Sequence, residues 1–182
     1  NEDILRYDLK SLSDKDLVIF GNLPYNISSQ ILANFINYSY SEFSYKKLVL
    51  MFQKEVADRI LAKDNSRNYG RLSIFSSWKL NIKKIMDINP SSFYPKPKVM
   101  SSLLIFEPKI NYIKFKNSKN LEHITNVFFN QKRKMIKKPL NILFKDSKKV
   151  VDELGLDINL RPQNLKKDTF YKICLIYEKL IN

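Results

Sequence analysis

The stretch Leu17-Val18-Ile19-Phe20-Gly21-Asn22-Leu23-Pro24-Tyr25 is the most informative part of this chain. Its first four residues are apolar and form a run of strand length, which predicts a buried parallel strand. The turn Asn22–Tyr25 then brings an amide, a proline carbonyl and an aromatic ring together. An amide oxygen and a backbone carbonyl can accept the two hydrogens of an exocyclic amine on a nucleobase, while an aromatic face holds the base flat. The pattern therefore favours an amine-binding site.

The segments after this turn alternate between helical and strand patterns. They are a helix from Ser28 or Ser29 to about Asn37, a strand over 48–52, a helix over 53–63, a helix over 71–78, a strand over 82–88 and a strand over 99–106. The loop before the last strand is too short for a helical crossover, so that strand should be antiparallel. The alternation predicts an α/β fold.

The pattern changes beyond Pro108. Residues 119–135, 140–154 and 167–181 have the spacing of apolar residues that is typical of helices. We therefore predict an α/β domain over residues 1–107 and a small helical domain over residues 108–182.

The charge of the chain indicates a polyanionic partner. The formal net charge is +14, and residues 107–150 hold twelve lysines or arginines against three acids. Nucleic acid and an anionic membrane surface both fit this charge. The excess of lysine would also follow from codon bias in an AT-rich genome, but bias alone does not explain why the charge is concentrated.

Cysteine, histidine and glycine usage excludes several kinds of site. Cys174 is the single cysteine and His123 the single histidine, so we expect neither a disulfide nor a zinc site. The three glycines are scattered and form no glycine-rich nucleotide loop. No run of about 18 apolar residues occurs, which predicts a soluble, cytoplasmic protein without a membrane partner.

A second motif, Ser92-Phe93-Tyr94-Pro95-Lys96-Pro97-Lys98-Val99, precedes the last predicted strand. Because Asn22–Tyr25 follows the first strand, both motifs can lie at one edge of an open sheet, where α/β proteins bind ligands. Tyr25 and Phe93 could then hold a base that is turned out of its stack. The alternative for each motif taken alone is a proline turn with core aromatics.

The sequence resembles the KsgA-type small-subunit rRNA adenine dimethyltransferases. The segments that carry the resemblance run through most of the chain, and they are Phe20–Ser28, Gln53–Arg59, Tyr69–Ser73, Phe93–Val99 and Phe129–Lys134. The resemblance implies a Rossmann-like class I methyltransferase sheet with an antiparallel last strand and a small C-terminal helical domain. It also implies dimethylation of two adjacent adenines of 16S rRNA with S-adenosylmethionine, a role in 30S biogenesis, and a monomer.

The resemblance also assigns roles to individual residues. Asp3 and Ile4 would contact the adenine of the cofactor, and Asn22 would lie beside its methionine part. The catalytic residues implied are Asn22, Leu23, Pro24, Tyr25 and Phe93. Without the family, Asp3 and Ile4 would be an ordinary loop acid and a core aliphatic residue.

Basic residues near both motifs form a predicted RNA-binding surface. They are Arg59, Arg71, Lys96, Lys98, Lys132, Arg133, Lys134, Lys137 and Lys138. Spacing predicts that Lys134, Lys137 and Lys138 share one helix face, where phosphate contacts would position RNA. The alternative is a solubilising helix surface.

Two departures from the family keep other interpretations open. The first strand, the glycine-rich loop and the acid that holds the cofactor ribose are missing, so we expect a fragment that lacks roughly the first third of the enzyme and is inactive alone. Met100 stands where the family usually has an acid. The alternatives are a 23S rRNA adenine methyltransferase of the macrolide-resistance type, and a non-catalytic nucleic-acid-binding relative.

Overall fold

The computed structural model describes residues 2–7, 17–38 and 45–180 of the 182-residue chain. The strands in these ranges are β1 (Leu17–Asn22), β2 (Tyr45–Gln53), β3 (Leu80–Ile88) and β4 (Ser101–Pro108). The helices are α1 (Ser28–Tyr38), α2 (Lys54–Leu61), α3 (Arg71–Lys79), α4 (Ser118–Phe129), α5 (Lys137–Leu143), α6 (Ser147–Leu154) and α7 (Lys167–Leu180). Most of residues 1–16 lie outside the described ranges.

The described residues divide into two compact units. Unit 1 comprises the described residues of Asn1–Leu61 and Ser76–Tyr112. Unit 2 comprises those of Ala62–Phe75 and Ile113–Asn182. The segment Ala62–Phe75 thus groups with the C-terminal helices, which local sequence patterns do not indicate. The domain boundary at residues 107 and 108 stays a prediction.

Unit 1 is built on a four-stranded sheet in the order β1-β2-β4-β3. β1 is parallel to β2, whereas β4 is antiparallel to both β2 and β3, so the predicted antiparallel last strand is confirmed. In the register, Asn22 lies opposite Met51, and Ser101 lies opposite Gln53 and Ile88. The end of β1 and the start of β4 therefore lie at the same edge of the sheet.

Helix α1 packs its apolar face into the core of unit 1, as its spacing predicts. Ile31, Leu32, Phe35 and Ile36 are all buried. The Phe35 ring meets Tyr45 edge-on at 5.9 Å between centroids, and the Tyr45 hydroxyl donates to the Phe35 carbonyl. These contacts bury α1 against the start of β2.

The predicted burial of the first strand is wrong in part. β1 forms where expected, but the side chains of Val18 and Phe20 are 45% and 76% exposed. Successive side chains of a strand point to opposite faces of a sheet. The face of β1 that carries these two residues is not covered by the part of the chain that the structure describes.

Unit 2 contains the four C-terminal helices, and their bounds differ from those predicted. The helix expected over 119–135 ends at Phe129, and the one expected over 140–154 is two helices, α5 and α6. Extended backbone at Phe144 separates α5 from α6. Gly155 caps the C-terminal end of α6, and its φ of 58° is a left-handed conformation that glycine adopts without strain. Hydrophobic periodicity alone does not register such breaks.

Aromatic packing forms the core of unit 2. Phe128 and Phe170 are fully buried and meet edge-on at 5.3 Å, which joins α4 to α7. The Tyr171 hydroxyl donates to the Ile74 carbonyl at 2.8 Å, so α7 also holds the segment Ala62–Phe75.

Candidate functional site

The turn Asn22–Tyr25 is fixed by three hydrogen bonds. The Ile27 amide donates to the Pro24 carbonyl at 3.2 Å, and the Ser28 hydroxyl donates to the Tyr25 carbonyl at 3.1 Å. The third hydrogen bond joins the Tyr25 hydroxyl to Ser101 across 2.6 Å. A carbonyl oxygen has two lone pairs, so Pro24 keeps capacity for a second donor. Asn22 and Pro24 are exposed, whereas Tyr25 is half-buried.

Gly21 allows the turn to pack closely on the sheet. A Cβ atom at this position would lie 2.8 Å from Leu50 Cδ2 and 2.9 Å from Leu23 Cδ2. These distances are below van der Waals contact. Any residue larger than glycine at position 21 would therefore overlap the side chain of Leu23.

The Phe93 loop reaches the same edge of the sheet. Asn89 caps a 3-10 turn over Pro90–Ser92 by accepting from the Ser91 amide at 3.0 Å, and the Phe93 amide donates to Pro90. Phe93 is half-buried, and Tyr94 beside it is fully exposed. Since this loop leads into β4, the structure brings the two sequence motifs to one edge. The roles expected of Leu23, Tyr25 and Phe93 stay predictions.

Sequence patterns did not reveal an ionic network at this edge. The Lys54 ammonium donates to Asp87 Oδ2 at 2.7 Å, and the Ser102 hydroxyl donates to Asp87 Oδ1 at 2.6 Å. The hydrogen bond from Lys54, followed by those from Ser102 and Lys84, holds the pKa of Asp87 well below its usual range. The same hydrogen bond to Asp87 raises the pKa of Lys54. The network joins the start of α2 to β3 and β4, and no local motif could predict it.

Asp3 and Ile4, the expected cofactor contacts, lie in a tight turn. The Asp3 carboxylate accepts from the Leu5 amide at 3.0 Å and lies 3.7 Å from Arg6 Nε. Asp3 and Ile4 are both exposed, so Ile4 is not the core residue that the alternative interpretation required. A carboxylate has about four acceptor positions, so the turn leaves Asp3 able to accept from an amine.

Several of the predicted RNA-binding cations are engaged within the protein. Arg59 pairs with Glu55 on α2, and Arg71 donates to the Asn126 side chain at 2.9 Å. The Lys132 ammonium donates to the carbonyls of Arg67 and Tyr69 at 2.6 and 2.8 Å. Lys132 thus fixes the loop before α3. Lys96 and Lys98, in the Phe93 loop, are exposed.

The remaining predicted cations line a cavity of unit 2. Its volume is about 560 Å³, and its lining includes Arg133, Lys134, Lys137, Lys138 and Arg161. We refer to it as the cationic cavity. Arg161 is an isolated arginine in the sequence, so no run of charge pointed to it.

The prediction that Lys134, Lys137 and Lys138 share a helix face is wrong for Lys134. Helix α5 begins at Lys137, and Lys134 precedes it. Pro139 explains the late start, because a proline ring clashes with the carbonyl four residues before it and prevents a helix from running through Met135.

The described ranges contain neither a metal-binding cluster nor a membrane-spanning helix. Within residues 2–7, 17–38 and 45–180, no group of three or more histidine, cysteine or acidic residues is placed to hold a metal ion. No helix in those ranges is long and apolar enough to cross a membrane.

Comparison with known proteins identifies the class. The family model described as ribosomal RNA adenine dimethylase matches residues 1–179. The chain is 57% identical to the ribosomal RNA small subunit methyltransferase A of Pelagibacter ubique over 99% of its length. It is 38% identical to the protein of that name from Prochlorococcus marinus over 94% of its length. The fold is therefore that of an rRNA adenine methyltransferase.

Solved structures of similar fold also belong to methyltransferases. A dimethyladenosine transferase from Plasmodium falciparum matches 91% of this chain and 68% of its own, with a TM-score of 0.76 and 29% identity. The 23S rRNA methyltransferase ErmE matches 97% of this chain and 70% of its own, with a TM-score of 0.63. Identity to ErmE is 14%, so that likeness shows the Rossmann-like methyltransferase fold alone.

The chain belongs to the ribosomal RNA adenine dimethylase family. It spans 69% of the Pelagibacter relative and 65% of the Prochlorococcus relative.

Proposed function

We propose that the protein containing this chain transfers methyl groups to the N6 atoms of two adjacent adenines in 16S rRNA of the small ribosomal subunit. The observation that carries the proposal is that the Asn22–Tyr25 turn and the start of β4, into which the Phe93 loop leads, lie at one sheet edge in a chain 57% identical to a small-subunit methyltransferase. The relatives that this chain matches are named as small-subunit methyltransferases, which does not favour a 23S RNA substrate.

The exposed acceptors of the turn would orient the target amine. The Asn22 amide oxygen and the Pro24 carbonyl would each accept one N–H of the adenine, which aims the nitrogen lone pair out of the base plane. Tyr25 and Phe93 would stack on the flipped base. Because positive charge grows on the nitrogen during methyl transfer, the two acceptors also stabilise the transition state.

S-adenosylmethionine, when bound, supplies an electrophilic methyl group on a sulfonium centre. Asp3, Ile4 and Asn22 are the residues of this chain that would hold it, and the acceptor capacity of the Asp3 carboxylate fits the amine of an adenine ring. The methylated amine is acidic enough to lose its proton to water, so no strong general base is required. A second methylation would begin with one N–H fewer, so one of the two acceptors then loses its donor.

The cationic cavity supports an RNA substrate. Five of its lining residues carry positive charge, and none of its lining residues is acidic. Such a surface binds phosphates without reading sequence. Contacts of this kind would orient the RNA of the 30S subunit, the proposed partner, on the protein. A ribosomal substrate would place the enzyme in the cytoplasm, and we expect it to act as a monomer.

The proposal is tested with the complete gene product and 30S particles that lack the modification. The wild-type protein should incorporate methyl groups into 16S RNA, and Asn22→Ala should abolish incorporation. Asn26→Ala removes an exposed amide from the same turn region and serves as the matched control, with activity retained. Methylation of 23S RNA instead of 16S RNA would contradict the proposal, and RNA binding without any methyl transfer would favour the non-catalytic relative.

A further inference from the structure

We infer that Ser101 is a positioning residue for methyl transfer, because its hydroxyl holds the Tyr25 ring in the orientation that receives the target base. This inference rests on the proposed function, in which Tyr25 stacks on the adenine. The Tyr25 Oη and Ser101 Oγ atoms lie 2.6 Å apart, although 76 positions separate the residues in the chain. Ser101 is fully buried. It therefore acts through Tyr25 and not on the substrate.

The backbone of Ser101 is fixed on both sides. Ser101 is the first residue of β4, an inner strand, and it lies opposite Gln53 on β2 and Ile88 on β3. The carbonyl just before it, that of Met100, accepts from the Lys54 amide at 2.9 Å. Because its backbone is fixed, the Ser101 hydroxyl is a rigid hydrogen-bond partner for Tyr25, whose turn follows β1.

The neighbouring residue on β4 is anchored separately. Ser102 donates to Asp87, and Asp87 in turn pairs with Lys54. Adjacent strand residues point to opposite faces of a sheet, so the two serines hold different partners. Ser101 alone of the two contacts the turn that carries the candidate site.

Tyr25 is held at both of its ends. Its carbonyl accepts from the buried Ser28 hydroxyl at 3.1 Å, and its phenol oxygen is held by Ser101. Rotation about the first side-chain bond would break the bond to Ser101. A stacking surface that is ordered before the base arrives loses less conformational freedom on binding and keeps the base aligned for attack.

Loss of the hydrogen bond between Tyr25 and Ser101 should lower the rate of methyl transfer more than the affinity for RNA. Without the bond to Ser101, the Tyr25 ring is still present and can contact a base, but it samples other orientations. RNA affinity is carried mainly by phosphate contacts elsewhere. The expected effect is a roughly tenfold to hundredfold fall in kcat, with a small change in the KM for 30S particles.

The test compares Ser101→Ala, Tyr25→Phe and the double variant in the complete gene product. Each single variant removes one partner of the same hydrogen bond, so both should lower kcat, and the double variant should be no slower than the slower single variant. Ser102→Ala is the matched control, because it removes the other buried hydroxyl of β4. It should lower the thermal midpoint at least as much as Ser101→Ala, because Ser102 donates to a charged carboxylate, while leaving kcat unchanged.

Three outcomes would overturn the inference. They are wild-type kcat in both single variants, losses that multiply in the double variant, and an equal fall of kcat in Ser102→Ala. Tyr25→Phe alters no residue of β4, so the test stands if Ser101→Ala fails to fold. Absence of methyl transfer by the wild-type protein would overturn the proposed function together with this inference. Wild-type transfer that is unaffected by the single variants would overturn this inference alone.

Discussion

The Lys54 ammonium lies 2.7 Å from the Asp87 carboxylate, although 33 residues separate them. The pair joins the first residue of α2 to β3, next to the edge of the sheet that carries the candidate site. Ser102 donates to the second oxygen of the same carboxylate. The edge is therefore held by charge as well as by strand pairing.

We expect the contribution of Asp87 to stability to depend on pH. Its pKa is lowered in the folded protein, so its contribution is present above the ordinary carboxyl value of 3.8 and is lost as the pH falls from there towards the lowered pKa. Asp87→Asn should therefore unfold more easily than wild type at pH 7, and the difference should shrink below pH 3.8. Denaturant unfolding of both proteins across this range measures the effect. A difference that stays constant with pH would show that ionisation of Asp87 is not its source.

Gly21→Ala should destabilise unit 1 and disturb the Asn22–Tyr25 turn. The new methyl group would overlap the side chains of Leu23 and Leu50, and overpacking of this kind costs about 1–3 kcal/mol. Gly70→Ala is the control, since a Cβ there would meet Phe129 at 3.8 Å, an ordinary contact. Denaturant midpoints and methyl transfer should both fall for Gly21→Ala only. Equal midpoints for the two variants would mean that Leu23 and Leu50 adjust freely.

Lys132 and Lys134 should respond differently to alanine substitution. Lys132 fixes the carbonyls of Arg67 and Tyr69, so Lys132→Ala should speed amide hydrogen exchange in that loop. Lys134 is exposed and lines the cationic cavity, and Lys134→Ala should leave this exchange unchanged. If Lys134 contacts a phosphate, its loss should reduce the salt dependence of 30S binding by about one counterion. If amide exchange in this loop is unchanged in Lys132→Ala, Lys132 does not fix the loop, and its expected role is RNA binding alone.

Arg161→Ala should weaken 30S binding more than removal of an equal charge elsewhere in unit 2. Arg161 lines the cationic cavity, whereas Lys148, on α6, is exposed outside it. If Arg161 contacts a phosphate, its removal should lower both the affinity for 30S particles and the salt dependence of binding. Filter binding over a salt series, with Lys148→Ala as control, measures this. Equal effects of the two substitutions would indicate that only the net charge matters.

Local patterns predicted much of the fold. The apolar runs predicted the four strands of the described ranges to within a few residues, and the loop length before β4 predicted its antiparallel pairing. The spacing of Ile31, Leu32, Phe35 and Ile36 predicted the buried face of α1. Patterns failed where the outcome depends on a neighbour. Local patterns did not predict the exposed face of β1, the break between α5 and α6, or the grouping of Ala62–Phe75 with unit 2.

The sequence by itself determined the chemistry of the candidate site and the family. An amide, a proline carbonyl and an aromatic ring in four consecutive residues are a local property, as is the concentration of positive charge after residue 107. Tertiary structure alone decided which distant groups support that chemistry. Ser101 meets Tyr25, Asp87 meets Lys54, and Arg161 joins the cations of the cavity. Strand register and helix packing create these pairs, and both depend on burial of the whole core, so no local window of residues contains the information.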